Sequence, residues 1–112
     1  MDDKDLGYHD DKLISVSIEP DEQRATLTIQ TLKWIECEDP YKREGSKSYR
    51  AENDKIVKII MKLKEEQPYF EGKLGTIYPA NDIFGIGIIK DVLHVSLTEG
   101  LLEFCIDSYE VV

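Results

Sequence analysis

His9-Asp10-Asp11 is the one stretch whose residue types suggest metal chemistry. On an extended segment adjacent side chains point to opposite sides, so His9 and Asp11 can share a face. A metal centre needs three or four ligands, and the only other imidazole is His94, on the polar face of a strand far along the chain. The expectation is therefore a structural role, with His9 or Asp10 bonding main chain at the entry to the first strand, and no metal site. Nucleophilic chemistry fares no better. Cys37 and Cys105 have no CxxC spacing and no local signature, and the chain has no Gly-x-Ser-x-Gly elbow. Gly85-x-Gly87 has no third glycine and no following helix, so it is not a nucleotide loop. Carboxylates are plentiful but fall in turns and tails, where they serve solubility. No catalytic residue, no cofactor and no enzymatic activity are expected.

Charge carries more information than motif. The chain has 23 acidic and 14 basic side chains, a net charge of −9. Residues 1–41 carry −7, residues 42–64 carry +5 and residues 65–112 carry −7. The acidic segments read either as solvated surface or as two faces that attract a basic partner. With the first hairpin beside the last meander, their carboxylates share one side of the molecule and the basic segment sits apart. Asp21 and Glu22 in the first turn and Glu99 in the last are the candidate contacts. A surface of this sign repels phosphate, which argues against direct nucleic-acid binding. Lys42 and Arg43, with Lys47 and Arg50, form a local basic patch that suits an acidic partner instead. Tyr69, Phe70 and Tyr78 interleave with Pro68, Gly72, Gly75 and Pro79. They read as a segment covering one end of the core, or as an exposed aromatic binding patch.

These features need a scaffold. At 112 residues, one domain spanning 1–112 is the expectation, large enough for a core without metals or disulfides. The acidic N-terminus lacks an apolar segment, so no signal peptide is read there, and no stretch approaches the ~20 apolar residues of a membrane span. Two scattered cysteines fit a reducing, cytoplasmic setting.

The C-terminal third organises the chain. Ile83–Ile89 is an apolar run that Lys90-Asp91 breaks. Val92–Thr98 alternates, with Leu93, Val95 and Leu97 on one face. Glu99-Gly100 is a hairpin signal, and Leu102, Phe104 and Ile106 follow in phase. Paired glycines at 85 and 87, opposite Phe84, Ile86 and Ile88, leave room for a large neighbour such as Trp34 or a tyrosine.

Upstream, residues 1–8 read as a flexible polar tail. Leu13–Ile18 alternates, with Ile14, Val16 and Ile18 facing one way. Glu19-Pro20-Asp21-Glu22-Gln23 is a turn, and Ala25, Leu27 and Ile29 mark the inward face of a second strand. The apolar phase then flips to Leu32 and Trp34, which predicts a bulge or bend near Thr31. Residues 36–53 read as a long polar loop. Lys55–Lys64 fits two periods. As a strand it turns Val57, Ile59, Met61 and Leu63 inward; as a helix it aligns Ile56, Ile59, Ile60 and Leu63. Its β-branched residues favour the strand, and Asn53-Asp54 as a cap keeps a helix over 55–66 open.

Tyr8-His-Asp-Asp-Lys-Leu-Ile-Ser-Val-Ser-Ile18 resembles the opening of a group of small acidic bacterial proteins that begin with His-Asp-Ser or His-Asp-Ala before a Leu-Ile-Ser-Val-x-Ile strand. Ala25-Thr-Leu-Thr-Ile29 matches their second strand, and a polar loop, a central strand and a C-terminal meander follow in the same order. Some members are similar to immunity proteins of polymorphic toxin systems. Asp11 departs from the pattern, where a small residue is usual. The resemblance implies a binder that neutralises a cognate toxin, and it carries no catalytic residues. The fold expected is all-β, an antiparallel meander or sandwich-like domain of six to seven strands, with α+β as the alternative. The partner expected is a protein, a basic toxin for an acidic binder; the alternative is a non-catalytic adaptor docking an acidic partner through its basic loop.

Overall fold

The computed structural model describes residues 2–37, 48–64, 81–98 and 100–112. Among these the fold is all-β, with seven antiparallel strands and one short 3₁₀ turn at Pro20–Glu22. The strands are β1 (Lys4–Gly7), β2 (Lys12–Glu19), β3 (Arg24–Cys37), β4 (Ser48–Leu63), β5 (Asn81–Ile89), β6 (Val92–Leu97) and β7 (Gly100–Val111). Lys55–Leu63, all but the last residue of the ambiguous stretch, is strand, not helix. Val57, Ile59, Met61 and Leu63 point inward as period two requires.

Two three-stranded meanders, β2-β3-β4 and β5-β6-β7, close on each other into a ring. One seam joins β4 to β7, and the other joins β5 to β1 and β2. β1 and β2 lie end to end along the same edge of β5. Lys4 faces Ile88 at one end, and Lys12 faces Asp82 at the other. The corner between them stays attached, because Asp10 N–H bonds the Ile83 carbonyl and Ile83 N–H bonds the Asp11 carbonyl, both at 2.8 Å. The polar tail expected over residues 1–8 therefore contains a paired strand. Its sequence has no alternation because only Leu6 packs against the core and the ladder to β5 does the rest; Asp3 also accepts from Lys90 N–H at 2.9 Å.

Closure creates one core. Leu13, Leu27, Ile29, Ile59, Ile83, Leu93, Val95, Phe104 and Ile106 are all buried in it. Each such side chain contributes about 1.5–3 kcal/mol of transfer free energy. Bulges set which residues reach it. Ile14 is the extra residue of β2 opposite Ile29 and Thr28, so Leu13, Val16 and Ile18 face the core and Ile14 is exposed. The phase expected for this strand holds from Val16 and fails at Ile14. Phe84 is likewise the extra residue of β5, which exposes it and turns Ile83, Ile86 and Ile88 inward.

The expected bend at Thr31 is present. The extra residue lies on the partner strand, where Asp54 and Lys55 together oppose Thr31. Thr31 is buried, and its hydroxyl bonds both the carbonyl (3.1 Å) and the amide (3.2 Å) of Lys55. Beyond the bend β3 and β4 continue as a two-stranded arm. Residues 36, 37 and 48–53, expected as loop, are strand from both sides of the connection. The 16 residues of β4 reach roughly 50 Å at ~3.3 Å per residue, longer than the ring needs.

Candidate functional site

The arm is the most distinctive surface of the described residues. Its register pairs Leu32 with Asn53, Lys33 with Glu52, Trp34 with Ala51, Ile35 with Arg50, Glu36 with Tyr49 and Cys37 with Ser48. Alternation puts Leu32, Trp34 and Glu36 on one face with Tyr49, Ala51 and Asn53, and Lys33, Ile35 and Cys37 on the other with Ser48, Arg50 and Glu52. Trp34 and Tyr49 are diagonal neighbours on the first face, 59% and 58% exposed. Ala51, directly opposite Trp34, leaves the indole without a bulky cross-strand cover. On the other face the Arg50 guanidinium lies 2.8 Å from Glu52.

The arm is also electrically distinct. Its described residues, 31–37 and 48–56, carry three basic and three acidic side chains, so the arm is neutral in a chain of net charge −9. Trp34, expected to flip to an apolar face or to fill the gap at the glycines, does neither. Tyr49 lies in β4, where the polar sequence reads as loop. The signal for both was the continued alternation of 32–37 and 48–53.

The glycine gap holds a different ring. A Cβ on Gly85 would stand 3.0 Å from His9 Cε1, and one on Gly87 would stand 3.3 Å from the Lys4 carbonyl. His9 Nδ1–H donates to the Phe84 carbonyl, and Asp11 accepts from Leu32 N–H at 3.0 Å. His9-Asp10-Asp11 thus bonds main chain at the entry to β2, as expected. Asp5 stands 3.7 Å from the other His9 nitrogen, and His94 stands 3.5 Å from Glu103, its cross-strand partner. Beside this corner, burial and then the Asp11 charge push the Tyr8 phenol above its ordinary pKa.

Of the expected contact residues, Asp21 and Glu22 are exposed in the first turn. Glu22 shares the Arg24 guanidinium with Glu19, at 2.7 and 2.6 Å. The hydrogen bond from Arg24 holds the Glu19 carboxyl below the usual carboxylate range. Glu22, Arg24, Lys62, Tyr109 and Glu110 rim a cleft of about 380 Å³ where β3, β4 and β7 end. Lys42, Arg43, Tyr69, Phe70, Tyr78 and Glu99 lie outside the described residues.

The strand order corrects one expectation about charge. The basic segment was expected to sit apart from two adjoining acidic ones. β1 and β2 do adjoin β5, but β4 runs between β3 and β7, so Lys62 lies beside Arg24 on one side and Ser108 on the other. The basic strand therefore lies within the ring rather than apart from it.

No group of three or more potential metal ligands occurs among the described residues, and no described helix is long and apolar enough to cross a membrane. Comparison with protein-family models, with curated proteins and with solved structures finds no match.

Proposed function

We propose that this chain is a non-catalytic, protein-binding inhibitor of the immunity type, which acts in the cytoplasm and neutralises a cognate toxin by covering its working face. One observation carries the protein-binding role: Trp34 and Tyr49 stand exposed on one face of a neutral arm that extends from an acidic body. Trp and Tyr dominate the energetic centres of protein interfaces, because they bring large apolar area at small entropic cost. The body supplies a long-range field that draws a basic partner in, and the arm supplies the short-range anchors. The toxin-neutralising role itself is supported by the resemblance of residues 8–29. The adaptor alternative needs a net basic loop, and the balance of six basic and six acidic side chains over residues 31–56 weighs against it.

The experiment uses the product of the gene adjacent to this one. Co-expression should protect cells from that protein, and calorimetry should detect a complex. Trp34→Ala and Tyr49→Ala should each weaken the complex by about thirtyfold, the effect of losing about 2 kcal/mol at an interface centre. A toxic neighbour that neither binds nor is neutralised would sink the inhibitor reading. Full affinity in both variants would sink the arm as its site.

A further inference from the structure

We propose that the outer edge of β4 pairs antiparallel with the same edge of a second copy of this chain, about a two-fold axis at Ala51. This goes beyond the inhibitor reading and does not depend on it. The proposal rests on main-chain direction and on charge register.

Lys58 exchanges main-chain bonds with Val112, at 3.0 and 2.8 Å, so its amide and carbonyl face the β7 side of β4. Among the described residues no strand pairs with that edge between Lys58 and Ser48. The outward groups can be assigned. Leu32 N–H points away from β4, toward Asp11, and Leu32 lies opposite Asn53. A cross-strand pair that faces away from itself on one side does so on both. Asn53 therefore presents its N–H and C=O outward, and by period two so do Ala51 and Tyr49. Three consecutive outward pairs make a template for an added strand.

Antiparallel pairing of this edge with itself about Ala51 brings Ala51 against its own copy and Tyr49 against the partner's Asn53. These are the outward residues, so all of them exchange hydrogen bonds. Arg50 then falls opposite the partner's Glu52 in the closely approaching, non-hydrogen-bonded pairs. Each guanidinium meets one carboxylate within its own strand and one across the interface. Neighbouring registers lack this match. An axis at Arg50 opposes arginine to arginine, and an axis at Glu52 opposes glutamate to glutamate. An axis at Asn53 sets Glu52 against Asp54. Like charges directly opposite one another destabilise a strand pair, so the edge selects one register. The pairing is isologous, as a closed dimer requires. It also joins the molecules through their neutral arms and keeps the acidic bodies apart. A five-residue edge makes a weak dimer.

Sedimentation analysis from micromolar to millimolar chain should show a reversible monomer–dimer equilibrium. Ala51→Pro removes the donor at the axis without touching the bonds to β3, because that N–H faces outward, and should abolish dimer at every concentration. Arg50→Glu should raise the dissociation constant at least tenfold, and the swap Arg50→Glu with Glu52→Arg should restore it. Monomer throughout in the wild type would overturn the proposal. So would a dimer that persists in Ala51→Pro, or one indifferent to the charge reversal. Circular dichroism of each variant separates loss of pairing from loss of fold.

Discussion

The imidazole of His9 occupies the space left by the missing side chain of Gly85, and it donates from Nδ1 to the carbonyl of the residue before it, Phe84. The contact ties the corner between β1 and β2 to β5. Gly85→Ala would push the ring off at 3.0 Å and should cost about 1 kcal/mol, the worth of the lost hydrogen bond. His9→Ala should cost a similar amount. Urea midpoints of the two variants and their combination form a cycle, and the double variant should be clearly less destabilised than the sum. Simple additivity would show that the ring is not what the added methyl displaces.

Thr31 closes the bulge of β4 with a single hydroxyl that bonds both main-chain groups of Lys55. Thr31→Val keeps the shape and removes both bonds, so it should destabilise by about 1–3 kcal/mol. Thr31→Ser should recover most of that. Equilibrium denaturation with a constant slope is the measurement, and a loss under a few tenths would show that water replaces the hydroxyl.

Ile59 is fully buried, opposite Leu27 on one side and Val111 on the other. Ile59→Pro removes a ladder donor from a central strand and should cost about 3 kcal/mol or more, enough to unfold a domain of marginal stability. Ile56→Ala, at an exposed position of the same strand, should stay within about 0.5 kcal/mol. Circular dichroism melts of the two decide it. Equal effects would contradict the inward face of β4.

Arg24 holds the Glu19 carboxyl below its ordinary pKa, chiefly by a side-chain hydrogen bond. The sign follows from linkage. A depressed carboxylate contributes stability that is present above its unfolded pKa and is lost as pH falls through the folded one. Carboxyl NMR titration should therefore place Glu19 lower in the wild type than in Arg24→Gln. Added salt should narrow the gap, because the pair is exposed. Identical midpoints would remove the pair from any account of acid stability.

Association with a basic partner should slow steeply between low and physiological salt, where the screening length shrinks to ~8 Å. Asp21→Lys should slow it further while changing stability by only about 0.5 kcal/mol. Asp21 is the cleaner reporter of the turn, because Glu22→Lys would also disrupt the Arg24 pairs. Stopped-flow kinetics at two salt concentrations test both statements, and salt-independent association would leave the steering account without support.

Period-two alternation is a local property, and wherever the ladder is regular it was legible. Ala25, Leu27 and Ile29, then Val57 to Leu63, Leu93 to Leu97, and Phe104 with Ile106 all turn inward as their spacing demands. The turn at Lys90-Asp91 was equally local, and both residues adopt the positive φ of a tight hairpin. The bend at Thr31 was readable because the apolar phase flips there. What alternation could not report is parity across a bulge. Ile14 and Phe84 are apolar and sit beside in-phase neighbours, yet each is the extra residue of its strand and is turned out.

The rest depended on pairings distant in sequence. β1 has no apolar pattern and exists because β5 offers it an edge some eighty residues away. The match of His9 to Gly85 and the closure of two meanders into one ring arise the same way. Charge obeyed the same division. The sequence determines the total of −9 and the neutrality of residues 31–56, because charge counts need no geometry. Only the tertiary structure decides that β4 lies between β3 and β7, which sets its lysines inside the ring rather than apart from it. The exposure of Trp34 and Tyr49 was likewise decided there, because β3 and β4 run on past the strands that would have covered them.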